Sequence, residues 1–214
     1  MIIAIDGPAA AGKGTLARRL AKHYGLAFLD TGSLYRAVGL KVLEAGGDPS
    51  DEAQAGAAAR TVGPADLDRP ALREERAGAA ASKVAVHPQV RQALLEFQRN
   101  FARKPPGGAK GAVLDGRDIG TVICPEPDVI KLYVSANVET RARRRLKELQ
   151  EKGDSPIYTA VLQDMKERDA RDANRGLAAL KKAPDALDLD TSALDADQVF
   201  ALALRFIESR NRAG

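Results

Sequence analysis

Apolar and polar positions along this chain change period from block to block. Ile2-Ile3-Ala4-Ile5 is a short apolar run ending on Asp6, as expected of a buried strand. Leu16, Leu20 and Tyr24 then recur every four residues and Gly25 closes the segment, which predicts an amphipathic helix. Ala27-Phe28-Leu29-Asp30 predicts a second strand. Leu34, Val38 and Val42 share one face of a helix over 31–45, stopped by Gly46-Gly47-Asp48-Pro49. Residues 46–86 are rich in Ala, Gly, Pro and charge, with weak periodicity, and are expected to form an inserted, mobile subdomain. Pro88 opens a helix carrying Val90, Leu94, Phe97 and Phe101, and 104–108 is a loop. Strands are predicted at 112–115, 129–134 and 186–189, and charged helices at about 137–152 and 158–171. Asp195 with Gln198 predicts the start of a last helix that buries Val199, Leu202, Ala203 and Phe206.

Strands alternating with helices predict an α/β protein with a five-stranded parallel sheet and right-handed crossovers. Ligands of such sheets bind at the carboxyl ends of strands. The segments 7–15, 30–36 and 115–118 all follow predicted strands and are expected to converge there.

The first of them, Gly7-Pro8-Ala9-Ala10-Ala11-Gly12-Lys13-Gly14-Thr15, is a glycine-bounded loop between strand and helix. Backbone N–H groups of such a loop cradle phosphate oxygens, and the helix N-terminus adds partial positive charge. Lys13 is placed to neutralise phosphate charge, and Thr15 to sit near a nucleotide-bound Mg²⁺. Gly14 separates Lys13 from Thr15, a variant that resembles nucleoside monophosphate kinases more than GTPases. A nucleotide-binding GTPase switch would also need an Asn-Lys-x-Asp motif, and no Asn here is followed by Lys. Asp30 and Arg36 follow one strand, and Asp115, Arg117 and Asp118 another. Arg168, Asp172 and Arg175 share one helical face.

Composition narrows the partners. The chain has 214 residues, net charge +4 and a pI of about 9.2, which suits an anionic ligand without demanding nucleic acid. With four Tyr, five Phe and no Trp, an aromatic platform for stacked bases is not expected. No apolar run approaches the roughly 18 residues of a membrane span, and no basic-apolar signal segment opens the chain. Cys124 is the single cysteine, which fits a reducing compartment, so a cytoplasmic protein is expected. His23 and His87 are isolated, so no histidine metal site is expected.

GPAAAGKGT (7–15), LDTGSLYRA (29–37), AASKVAVHPQVR (80–91), LDGRDIGT (114–121) and KERDARDANR (166–175), in this order and spacing, resemble the bacterial cytidylate kinase family over nearly the whole chain. The resemblance implies a three-layer P-loop NTPase fold with an inserted monophosphate-binding subdomain and a small lid. It divides a single kinase domain over 1–214 into a core (1–45, 87–152 and 177–214), the insertion (about 46–86) and the lid (about 153–176). It implies transfer of the ATP γ-phosphoryl group to CMP or dCMP with Mg²⁺, in a monomer that binds neither nucleic acid nor membrane. The nearest alternative is a kinase for UMP, AMP or dTMP.

Residue by residue, the resemblance implies that the loop 7–15 binds ATP and that Arg36, Arg117 and Arg175 hold the acceptor phosphate. Arg168 and Asp172 correspond to sugar contacts, and Ser82, Arg91 and Asp118 to base contacts. Lys13, Arg117 and Arg175 form the implied catalytic set. Asp30 is expected either to order waters of the metal ion or to hold nearby arginines. One or two of Arg141, Arg143, Arg144 and Arg145 are expected to reach the ATP phosphates. Two departures from the family stand out: the stretch from Arg36 to Ser82 is shorter than usual, so the small subdomain is expected to be reduced. Ala10 stands where related loops often carry glycine.

Overall fold

The computed structural model of the chain describes residues 1–173 and 179–212. The apolar runs form β1 (Ile2–Asp6), β2 (Ala27–Asp30), β3 (Ala112–Gly116), β4 (Ile130–Ser135) and β5 (Leu187–Asp190), in the sheet order β2-β3-β1-β4-β5. The sheet is parallel throughout. The registers Ile5↔Asp115, Asp6↔Gly116 and Asp6↔Tyr133 bring the carboxyl ends of β1, β3 and β4 level. All five residues of β3 are buried, which is why this strand reads as an unbroken apolar run rather than an alternation.

The chain divides into two compact units, one of residues 1–28 and 105–214 and one of residues 29–104. In the first, α1 (Lys13–Tyr24) buries Leu16, Ala17, Leu20 and Ala21. These pack with Ile3, Ile5, Val113, Leu132 and Val134 of the sheet and with Val199, Ala203 and Ile207 of α8 (Ala196–Arg212). The expected burial on α8 is therefore partly corrected. The buried stripe runs 199, 203, 207 at a spacing of four, leaving Leu202 39% exposed and Phe206 only partly covered. Its start is as read. The Asp195 carboxylate accepts from the Gln198 backbone N–H, and the Gln198 side-chain Oε1 accepts from the Asp195 backbone N–H. α6 (Val138–Glu151) and α7 (Tyr158–Ala173) pack together through Ala142, Val161 and Met165.

The second unit contains α2 (Thr31–Glu44), α3 (Glu52–Ala59), α4 (Glu75–Val84) and α5 (Pro88–Arg103). The weak pattern of 46–86 hides two helices and two short turns of 3₁₀ helix, at Pro64–Asp68 and Pro70–Arg73. Their buried positions are Ala55, Gly56, Ala59, Ala77, Ala80 and Ala81, side chains too small to register as an apolar stripe. On α5, Val90 and Leu94 are buried as expected. Below them the stripe turns to Gln98 and Ala102, not Phe97 and Phe101. Gln98 is tolerated there because its amide donates to the Leu94 carbonyl at 3.1 Å.

Candidate active site

The loop between β1 and α1 is shaped by close approach and by left-handed backbone. Gly7 has φ +150°, and a Cβ there would lie 1.9 Å from the Val134 carbonyl oxygen, so no other residue fits. Ala10 (φ +58°) and Gly12 (φ +96°) are also left-handed. Conformations of this kind curl successive N–H groups toward one side of a loop. The carbonyls are drawn off by side chains. Pro8 accepts from Lys13 Nζ at 2.8 Å, and Ala9 from Arg141 at 3.4 Å. Ala11 accepts from Thr191 Oγ1 at 2.9 Å and from Arg144 at 3.4 Å. A loop held in this way offers donors to an anion.

Lys13 is buried in the first turn of α1, with its Nζ 3.8 Å from Asp115 Oδ1 at the end of β3. Thr15 is exposed on the same turn. A pocket of about 300 Å³ opens beside them, lined by Gly12, Thr15, Arg144, Thr191, Asp195 and Val199, among others. Burial lowers the Arg144 pKa from its ordinary value.

Past β3, Arg117 donates from Nε to Asp172 Oδ2 at 2.7 Å, so residues matched separately to phosphate and to sugar are direct partners. Asp172 is 1% exposed on α7, and Asp118 is 4% exposed. Arg168 is half-buried one turn before Asp172. Arg175, the third arginine matched to the acceptor phosphate, lies outside the described residues. Asp6, at the end of β1, accepts at 2.8 Å from the N–H groups of both Ile119 and Gly120. Burial pushes its pKa up to about 7, with Asp118 adding to the rise, while the two N–H bonds and Lys13 oppose it.

In the second unit, Asp30 caps α2 by accepting from the Gly32 N–H at 2.9 Å and pairs with Arg36 at 3.2 Å. Of the two roles expected for Asp30, holding a nearby arginine is the one with a visible contact. Ser82 is buried on α4. Arg91, on α5, donates to the Ala85 carbonyl and lies 5.9 Å from the Tyr35 ring centre.

The arginine cluster on α6 separates by partner. Arg141 makes a two-pronged ion pair with Asp169 at 3.0 and 2.6 Å and also holds the Ala136 carbonyl. Arg144 holds Thr191 and faces the pocket. Arg145 pairs with Glu148 on the surface. Sequence reasoning did not single out Asp6 or Thr191, read Asp195 only as a helix start, and gave Asp115 no role. Thr191 had a usable signal, since it lies two residues past a predicted strand. Among the described residues, no group of three or more His, Cys, Asp or Glu side chains is placed to hold a metal ion.

The sequence model of the family described as Cytidylate kinase matches residues 3–209. A protein named Cytidylate kinase from Paramagnetospirillum magneticum is 65% identical over 209 residues, covering 98% of both chains. Another of that name from Rhodospirillum rubrum is 55% identical over 212 residues, covering 99% of both. Among solved structures, an uncharacterized protein from Eubacterium ventriosum superposes with a TM-score of 0.56 at 17% identity, over 98% of both chains, a likeness of fold alone. The loop geometry at the carboxyl end of β1 and this match along almost the entire sequence lead to one assignment: the chain belongs to the cytidylate kinase family.

Proposed function

We propose that this chain transfers the γ-phosphoryl group of ATP to CMP and dCMP, giving ADP and the pyrimidine nucleoside diphosphate. The observation that carries the reading is the glycine-bounded loop at the end of β1, with Lys13 and Thr15 on the turn that follows and a pocket of about 300 Å³ beside them. In this reading Gly7, Pro8, Ala9, Ala10, Ala11, Gly12, Lys13, Gly14 and Thr15 bind the ATP phosphates. The pocket between Arg144 and the 191–196 segment takes the rest of the donor nucleotide.

Arg36, Arg117 and Arg175 hold the acceptor phosphate, for which a planar guanidinium fork is well matched. Arg168 and Asp172 contact the sugar. Ser82, Arg91 and Asp118 read the base, Asp118 by accepting from the cytosine N4 amine. The Thr15 hydroxyl and the Asp115 carboxylate are hard oxygen donors of the kind that suits Mg²⁺. Bound with ATP, Mg²⁺ would neutralise charge on the transferring group.

An oxygen of the acceptor monophosphate attacks the γ-phosphorus in line, and the bond to the β,γ-bridging oxygen breaks. That acceptor oxygen is already anionic at pH 7, so this chain needs no general base. Its residues act by positioning and by charge stabilisation, Lys13 and Arg117 foremost. The test is ADP formation from ATP with CMP, dCMP, UMP, AMP and dTMP in turn. CMP and dCMP are expected to be the best acceptors. A preference for a purine monophosphate, or no transfer to any of the five, would overturn the reading.

A further inference from the structure

Asp118 sits at the mouth of a wide turn, Ile119–Ile123, in which the Cys124 N–H donates to the Ile119 carbonyl at 2.7 Å. Turns of this width are uncommon and concentrate at functional sites. This one is held from both ends. At its start Asp6 Oδ1 accepts from the Ile119 N–H and Asp6 Oδ2 from the Gly120 N–H, both at 2.8 Å. Just beyond its end the Lys131 Nζ donates to the Pro125 carbonyl at 2.9 Å while pairing with Asp185. Between the two, Gly120 is tight against the Lys131 stem. A Cβ there would lie 3.1 Å from Lys131 Cγ and Cδ and 3.4 Å from Asp6 Oδ2.

We infer that Asp6 is a positioning residue for base recognition, fixing through its two backbone contacts the turn that carries Asp118. The inference rests on the reading of Asp118 as the base contact. A buried carboxylate is costly to keep, and here it does what no neutral side chain does. It presents two acceptors to two consecutive N–H donors, which are the residues that directly follow Asp118. Lys13 of α1 attracts the Asp6 carboxylate, Asp118 of the turn repels it, and Tyr133 of β4 faces it. An amide at the same place keeps one acceptor and turns a donor toward the other N–H. Ile119 or Gly120 must then move, and Asp118 moves with them.

The test compares wild type, Asp6→Asn and Asp118→Asn in the full-length protein at pH 8. The quantities read are kcat/KM for CMP and for UMP, KM for ATP, and the thermal midpoint. Asp6→Asn is expected to narrow the CMP-to-UMP ratio about tenfold or more, the scale of a lost hydrogen bond to a charged group, with KM for ATP changed less than about twofold. A merely structural Asp6 would lower the thermal midpoint and leave the ratio unmoved. If Asp118→Asn narrows the ratio and Asp6→Asn does not, the positioning inference is overturned and the base reading stands. If neither variant moves the ratio, Asp118 does not read the base and both fall. Should Asp6→Asn fail to fold, Gly120→Ala crowds the same turn against the Lys131 stem and Asp6 Oδ2 without removing a charge. A narrowed ratio in that variant supports the inference, and an unchanged one overturns it.

Discussion

Single residues in the loop set both its shape and its charge. Ala10 holds φ +58° with a Cβ, where a left-handed conformation costs an L-residue about 1–2 kcal/mol. Glycine removes that strain but gives back part of it through the freer unfolded chain. Ala10→Gly should therefore stabilise the protein by about 0.5–1 kcal/mol in urea unfolding, with turnover little changed. A destabilised variant would show that the strain is not there. Lys13→Ala should leave the fold intact and lower turnover by about 10³-fold, the scale of a cationic group in phosphoryl transfer, and near-normal turnover would remove its assignment. At Asp6 the pH dependence has a definite sign. Its folded-state pKa is about 7, above the ordinary 3.8, because burial costs the carboxylate more than its two N–H contacts return. The contribution is complete below pH 4 and is lost as pH rises through about 7. Thermal midpoints of wild type minus Asp6→Asn should thus fall between about pH 4 and 7 and level off above. A difference constant across that range would show that Asp6 does not titrate in the folded protein.

At the level of elements, what was legible in the sequence were segments whose signal is local. β1 and β3 announce themselves as apolar runs, and the reciprocal cap of Asp195 and Gln198 lies three residues apart. α3 and α4 did not, because helices that bury alanine and glycine have no contrast between faces. Nor could spacing say which arginine of α6 turns toward the loop, since that choice depends on Asp169 of α7 and Thr191 after β5. The bond from Asp6 to the 119–123 turn spans more than a hundred residues of chain and leaves no local trace. The candidate site was legible as motifs, but the contacts that hold the motifs in place were not. Arg141 shows what those contacts carry. Its guanidinium, 4% exposed as a residue, joins α6 to Asp169 of α7 and to the Ala9 carbonyl of the loop. Asp169→Asn leaves that buried cation without its counter-charge. Because Asp169 is itself partly exposed, the expected loss is about 1–3 kcal/mol, below the cost for a fully buried pair. The same change should raise KM for ATP several-fold through the loosened loop. Unaltered stability and KM together would show that the pair ties nothing down.

Across the whole molecule, α3 and α4 are built from smaller side chains than the sheet. The core of residues 1–28 and 105–214 is filled by Ile3, Ile5, Leu16, Leu20, Leu132, Val134 and Ile207. Residues 29–104 also bury Leu34, Val38, Leu40, Val90 and Leu94, but within them α3 and α4 bury chiefly Ala55, Ala59, Ala77, Ala80 and Ala81. Gly39 of α2 approaches α4 so closely that a Cβ there would lie 2.6 Å from the Ala80 Cβ. Small side chains remove less apolar area from water for each residue ordered, at about 25 cal/mol per Å², while the backbone entropy lost on ordering is of the same size everywhere. α3 and α4 should therefore open at a lower free energy than the sheet, and their amides should exchange hydrogen ahead of those of β1, β3 and β4. Binding then has more to order in 29–104 than in the sheet. If Arg36, Ser82 and Arg91 do hold the acceptor, a bisubstrate nucleotide analogue should slow exchange in α2, α4 and α5. In the lid expected at 153–176, of which 153–173 is described, protection should rise alongside it, while β1 and β3, already slow, change little. Hydrogen exchange followed by mass spectrometry, with and without the analogue, separates the outcomes. Equal exchange in α3, α4 and the strands without ligand would refute the difference in local stability. Protection confined to the loop 7–15 and its neighbours would mean that residues 29–104 take no part in holding the nucleotides.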